Sequence, residues 1–213
     1  MSTDPQGSGD RALDASLVQL KQFVIKHWLT AFGVLVCTVV FLLWQVLPTQ
    51  QLQGFFMPNK TSDGLTLEVI ARSFPPSIGH SHLSHFAMNM FGWIFLASRI
   101  EERTRLDIIL VFISASFAGN LLQYTMQGPF FLGLSGVIYG LGAYALAVNS
   151  MLEKDLIPIQ RSLLYFLMIS LAVMFMGLVP NVANYAHGGG ALAGATVGFL
   201  RVGYFRLINQ RAS

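Results

Sequence analysis

Six stretches of this chain contain no Asp, Glu, Lys or Arg and are about long enough to cross roughly 30 Å of hydrocarbon as helices. They lie near residues 29–47, 82–98, 108–126, 134–152, 162–179 and 185–200. The second and sixth are short, which a helix tolerates where its end faces a water-filled cavity rather than lipid. Of the 213 residues, 54% are hydrophobic and only 11% charged, so the expected fold class is an all-α membrane protein, a bundle of six transmembrane helices.

The cations set the expected orientation. Arg11, Lys21 and Lys26 precede the first stretch, and Arg99, Arg103 and Arg105 separate the second from the third. Lys154 and Arg161 join the fourth to the fifth, while Arg201, Arg206 and Arg211 follow the sixth. Of the 13 Lys and Arg residues, only Lys60 and Arg72 fall on the other side. That bias puts both termini in the cytoplasm. The excess of basic residues thus reports membrane orientation and gives no reason to expect a nucleic-acid partner.

The expected organisation is a cytoplasmic tail over 1–26, one six-span domain over 27–207 and a short cytoplasmic tail over 208–213. Residues 1–10 are rich in Ser, Gly and Asp and read as disordered. From Leu13 the apolar residues Leu17, Leu20 and Val24 recur opposite Asp14 and Lys21, as in an amphipathic helix lying on a membrane surface. The first span starts well inside the chain and reads as an anchor, not a cleavable signal. The single cysteine, Cys37, has no internal disulfide partner and reads as packing. The outer loop 48–79 carries Phe55, Phe56, Met57, Leu65, Leu67, Val69, Ile70 and Phe74, which points to partial insertion into the membrane interface.

The polar residues inside the spans converge. With the orientation above, spans two, four and six run the same way, and His85, Asn89, Ser135 and His187 all fall near their outer ends. Ser135 lies between Gly133 and Gly136, which let backbone and substrate approach a hydroxyl closely. His187 opens an apolar span, where histidines are costly and usually functional. A neutral imidazole can take a serine proton and return it to a leaving group. Tyr139 follows Ser135 by one turn and either packs on that imidazole or is an interfacial tyrosine. Gly190, Gly194 and Gly198 form a stripe that permits close helix contact and could bring His187 to Ser135.

His85 and Asn89 share a helix face, and both can donate hydrogen bonds to an oxyanion together with the Ser135 amide. The rival reading is a metal site built from His80, His82, His85 and His187. No span carries a carboxylate, no thiolate partner is present and no HExxH occurs, so no metal is expected. For the same reason the pattern is that of a Ser–His dyad, not a triad.

These motifs resemble the rhomboid family of intramembrane serine proteases, in its compact bacterial six-span form. The family's GxSG motif is met by Gly133, Leu134, Ser135 and Gly136, and its upstream Gly-Pro-aromatic loop by Gly128, Pro129 and Phe130. Its HxxxN is met by His85 and Asn89, with His80 five residues earlier. Its Asn-x-x-His and spaced glycines are met by Asn184, His187, Gly190 and Gly194, and its Glu-x-Arg by Glu101 and Arg103. The resemblance covers about residues 65–200. One departure is Ala71 before Arg72, where the family often has tryptophan. Another is the additional pair Gly188 and Gly189 at the start of span six.

The resemblance implies hydrolysis of peptide bonds in or near transmembrane segments of other membrane proteins, without a cofactor, in a bacterial inner membrane. Ser135 would be the nucleophile and His187 the base, with His85, Asn89 and Ser135 at the oxyanion. Tyr139, His80, Gly133, Gly136 and Asn184 would support the site. Water would reach it through a polar cavity lined by His80, His82, Asn184 and Gln123. Its partners would be those substrates and the lipid bilayer, and its oligomeric state is left open. Two alternatives remain at this point: a non-catalytic rhomboid-like binder of membrane proteins, and a histidine-based metal transporter.

Overall fold

A chain in hydrocarbon must satisfy its own backbone hydrogen bonds, and this one does so with helices. A computed structural model describes residues 6–47, 66–152, 156–179 and 182–212. Helix α1 (Gln6–Lys26) meets α2 (Trp28–Val46) at His27. A short α3 (Leu67–Ala71) and a 3-10 turn (Pro75–Ile78) lead into α4 (Leu83–Glu101). Then follow α5 (Arg105–Gln127), α6 (Ser135–Met151), α7 (Arg161–Phe175) and α8 (Asn184–Ala212). No strand occurs among the described residues. Phe55, Phe56, Met57, Lys60, Leu65 and Lys154 lie outside them.

Several expected boundaries move. Helix α1 begins at Gln6, inside the segment expected to be disordered, since a nucleated helix gains one hydrogen bond for each residue added. Helices α4 and α8 continue past their charge-free stretches through Arg99 and Arg201, because a charge ends the hydrocarbon but not the helix. Helix α7 stops at Phe175, short of the expected 179, where Gly177 at φ 77° turns the chain and its N–H reaches the Met174 carbonyl.

By length and apolarity alone, Trp28–Val46, Arg105–Gln127 and Asn184–Gln210 can cross a membrane. Helix α4 includes Arg99 and Glu101, and α6 and α7 have 17 and 15 residues, about 26 and 22 Å. All six long helices after α1 coincide with the charge-free stretches, and three of them meet the spanning rule on their own.

The bundle is apolar outside as well as inside. Phe32, Leu35 and Leu42 of α2, Phe166 and Ile169 of α7, and Leu192 and Phe199 of α8 are exposed, as lipid-facing side chains are. Helix α6 is innermost: Val137, Leu141, Tyr144 and Ala145 have no exposed surface. Helix α8 lies directly on it. A Cβ on Gly190 or Gly194 would overlap the carbonyls of Gly136 and Gly140, so the glycine stripe faces α6 as its spacing predicts. The extra glycines also have neighbours. A Cβ on Gly189 would come within 2.9 Å of Gly119 in α5, and one on Gly188 within 2.9 Å of the Phe175 ring.

At the end of the bundle away from Ser135, buried charge joins the helices. Glu101 of α4 accepts from the N–H groups of Leu29 and Thr30 at 3.0 and 2.9 Å and from the Thr30 hydroxyl at 2.7 Å, capping α2. Asp107 of α5 pairs with Arg201 of α8 at 2.5 Å and accepts from the Tyr144 hydroxyl. Near Ser135, the described part of the outer loop docks on α5. Asn120 donates to the Ser73 carbonyl at 2.6 Å and to Ser77 Oγ at 2.8 Å, while Val69 packs on Tyr124 and Phe131. Ala71 is exposed, and Arg72 pairs with Glu68 at 2.9 Å.

Candidate active site

Ser135 is the first residue of α6, and the chain reaches it through Gly133 at φ 131°. An L side chain rarely adopts that conformation, and here a Cβ would also lie 2.5 Å from His85 Cε1 and 2.8 Å from His85 Nε2. Glycine at 133 thus admits the His85 ring beside the serine loop. The Gly133 N–H donates to the Pro76 carbonyl at 2.9 Å, which fixes the loop to the 3-10 turn.

His187 is the fourth residue of α8 and 5% exposed. Its Nε2 is 2.7 Å from Ser135 Oγ, a hydrogen bond across two helices between residues 52 apart in sequence. The Tyr139 ring lies against the imidazole, with centroids 4.7 Å apart and planes 32° from parallel. No partner for His187 Nδ1 is present among the described residues. The nearest thing to a third member of the site is therefore an aromatic face, not a carboxylate.

On α4, Asn89 is buried and gives one N–H to the His85 carbonyl at 3.0 Å. The same amide nitrogen would be 3.5 Å from a Cβ at Gly133, beside the Ser135 loop. His80 sits behind His85, fully buried, edge-on at 5.4 Å. Burial first, and the neighbouring charge of His85 second, push the His80 imidazole down to about 4.

A cavity of about 1030 Å³ opens over Ser135. Its polar wall holds His82, His85, Asn89, Gln123, Tyr139 and His187, and its apolar wall runs out between α4 and α7 past Phe91, Phe95, Leu163 and Phe166. His80 and Asn184, expected on this wall, are not on it. His80 is turned into the protein, where Phe86 covers a second side at 5.6 Å. Asn184 instead donates to the Met174 carbonyl at 2.9 Å, joining the start of α8 to the end of α7.

Among the described residues no three of His, Cys, Asp and Glu are placed to share a metal ion. Two contacts were not legible beforehand. Gln123 Oε1 accepts from the N–H groups of Tyr185 and Ala186 at 3.1 and 3.2 Å, so it caps the helix that carries His187. Ser170 of α7 is hydrogen-bonded to the Tyr139 hydroxyl at 2.8 Å. A signal for the first was present: Ser116, Asn120, Gln123 and Gln127 form a polar stripe along one face of an otherwise apolar helix.

The family model for the Rhomboid domain matches residues 68–204, well over half of the chain. The match begins at α3 and takes in His85, Asn89, Ser135 and His187.

Proposed function

The chain belongs to the rhomboid family, an integral-membrane family of intramembrane proteases, and from that premise we propose that it is a serine endopeptidase working through a Ser135–His187 dyad. The observation that carries the reading is the 2.7 Å contact between Ser135 Oγ and His187 Nε2 at the floor of an open cavity. Ser135 Oγ attacks the substrate carbonyl carbon as its proton passes to Nε2. The resulting oxyanion takes hydrogen bonds from His85, Asn89 and the Ser135 amide. The imidazolium then protonates the leaving amine, the acyl-enzyme forms, and a water deprotonated by His187 releases it. Without a carboxylate at Nδ1, the imidazolium is stabilised by the Tyr139 ring face, a cation–π contact worth about 0.5–2 kcal/mol.

The substrates on this reading are transmembrane segments of other membrane proteins. The apolar cavity wall between α4 and α7 offers such a segment a path from lipid to Ser135. The cation bias supports cytoplasmic termini, with the cavity opening on the opposite side of the inner membrane. His80, Gly133, Gly136, Tyr139 and Asn184 act as support: the glycines by admitting neighbours, Tyr139 at the base, Asn184 at the start of α8, and His80 by backing His85. The domain limits remain 27–207, with tails at 1–26 and 208–213.

Labelling with a fluorophosphonate tests this directly. Wild-type protein should label at Ser135 with chelator present, while Ser135→Ala and His187→Ala should neither label nor cleave a model transmembrane substrate. A folded wild-type protein that binds the substrate but neither labels nor cleaves would be a non-catalytic binder.

A further inference from the structure

We propose that Ser170 is a positioning residue for the base. It holds Tyr139 against His187, and so makes the alignment of the dyad depend on where α7 stands. This inference deepens the dyad reading and rests on it. The direction of the hydrogen bonds is fixed by the partners. The Ser170 hydroxyl donates to the Leu167 carbonyl at 2.8 Å, which leaves its oxygen to accept the Tyr139 proton at 2.8 Å. A weaker acceptor for the same proton, Met174 Sδ at 3.6 Å, is also on α7. Every hydrogen bond of the Tyr139 hydroxyl among the described residues thus goes to α7, although the tyrosine belongs to α6.

The other side of Tyr139 faces the base. Its ring lies 4.7 Å from the imidazole of His187, whose Nδ1 has no partner among the described residues. Ring orientation at His187 is then set by Ser135 on one side and by Tyr139 on the other. Asn184 makes a second polar tie to α7, but it joins the start of α8 to the Met174 carbonyl and does not touch the imidazole.

Tyr139, Leu167 and Met174 also line the cavity that opens beside α7. A transmembrane segment passing between α4 and α7 presses on α7, and an outward shift of about 1 Å takes a 2.8 Å hydrogen bond beyond useful range. Tyr139 is then released and the base loses one of its two supports. The dyad is realigned when α7 returns around the bound segment, which ties proton transfer to a closed site.

The test uses full-length protein in detergent and compares wild type with Ser170→Ala, Tyr139→Phe, the double variant and Ser170→Thr. Two quantities are read: the NMR shift of the His187 ring C–H protons, which the Tyr139 ring current displaces, and kcat with KM for a transmembrane substrate. Ser170→Ala, Tyr139→Phe and the double variant should move the His187 shift alike. They should lower kcat by about 3- to 10-fold, the size allowed by one hydrogen bond of ordinary net strength, with KM little changed. Ser170→Thr, which keeps the hydroxyl, should restore both. An unchanged His187 shift in Ser170→Ala, losses that add in the double variant, or a fall in kcat that merely follows the folded fraction would overturn the proposal. If wild type does not cleave at all, the protease reading fails, and the His187 shift still decides whether Ser170 positions the ring.

Discussion

Gly194 of α8 stands against the carbonyl of Gly140 of α6 so closely that a Cβ would overlap it. The two helices therefore touch backbone to backbone, two turns from His187 on the same helix. Gly194→Val should push α8 away from α6, costing about 1–3 kcal/mol or more in overpacking. The 2.7 Å contact at Ser135 should be lost with it. The expected result is a folded but less stable protein with severely reduced cleavage. Ala193→Val, off the stripe, should matter much less. Thermal stability and cleavage measured side by side check this, and equal activity in both variants would mean the stripe does not set the dyad geometry.

On the oxyanion reading, His85→Ala and Asn89→Ala should each lower kcat by about 10- to 10³-fold. The loss should be smaller than for Ser135→Ala, because the remaining donors still hold the charge. Asn89 spends one N–H on the His85 carbonyl, so Asn89→Asp, which removes the amide donors while keeping the size, should be no better than alanine. Steady-state kinetics on one substrate give the comparison. Activity in Asn89→Asp close to wild type would remove Asn89 from the oxyanion site.

His80 lies in the loop before α4, and its folded-state imidazole is held down at about 4. An imidazole in an unfolded chain titrates near 6.5. Between those values the unfolded state binds a proton that the folded state does not. Stability from this residue is therefore complete above about pH 6.5 and is lost as pH falls towards 4, by about 3 kcal/mol in all. Melting temperatures at pH 7, 5.5 and 4 should fall more steeply for wild type than for His80→Gln. Parallel slopes would show that His80 does not carry the acid sensitivity.

The parts of the candidate site that a short motif encodes are legible in the chain. Ser135 and His187 were marked by flanking glycines and by their cost in an apolar span, and the helices that hold them follow from hydropathy. What was not readable depends on which helices are neighbours. Glu101 and Asp107 look like ordinary charges at helix ends, yet each is buried among groups from other helices. Ser170 is one serine in an apolar run, and only the approach of α7 to α6 gives it Tyr139 as a partner. His80 and Asn184 matched the motif but not the expected cavity wall, because a motif fixes spacing along the chain and not which way a loop side chain turns.

Gln123 lines the cavity, as the sequence predicts, and has a second task. Its Oε1 accepts from the N–H groups of Tyr185 and Ala186, in the first turn of α8, and its Nε2 donates to Gln127 Oε1 at 2.8 Å. The first-turn N–H groups of a helix have no acceptor within it, and removing a side-chain cap costs about 0.5–2 kcal/mol. His187 is in that same first turn, so fraying there moves the base before anything else. Gln123→Leu should lower both stability and kcat. Gln123→Glu keeps the acceptor at the positive end of the helix dipole but loses the donor to Gln127 and buries a charge, so it should retain more stability and activity than Gln123→Leu. Melting curves and kcat for the two variants check this together. If Gln123→Leu melts earlier but turns over normally for each folded molecule, the cap serves stability alone and His187 is positioned without it.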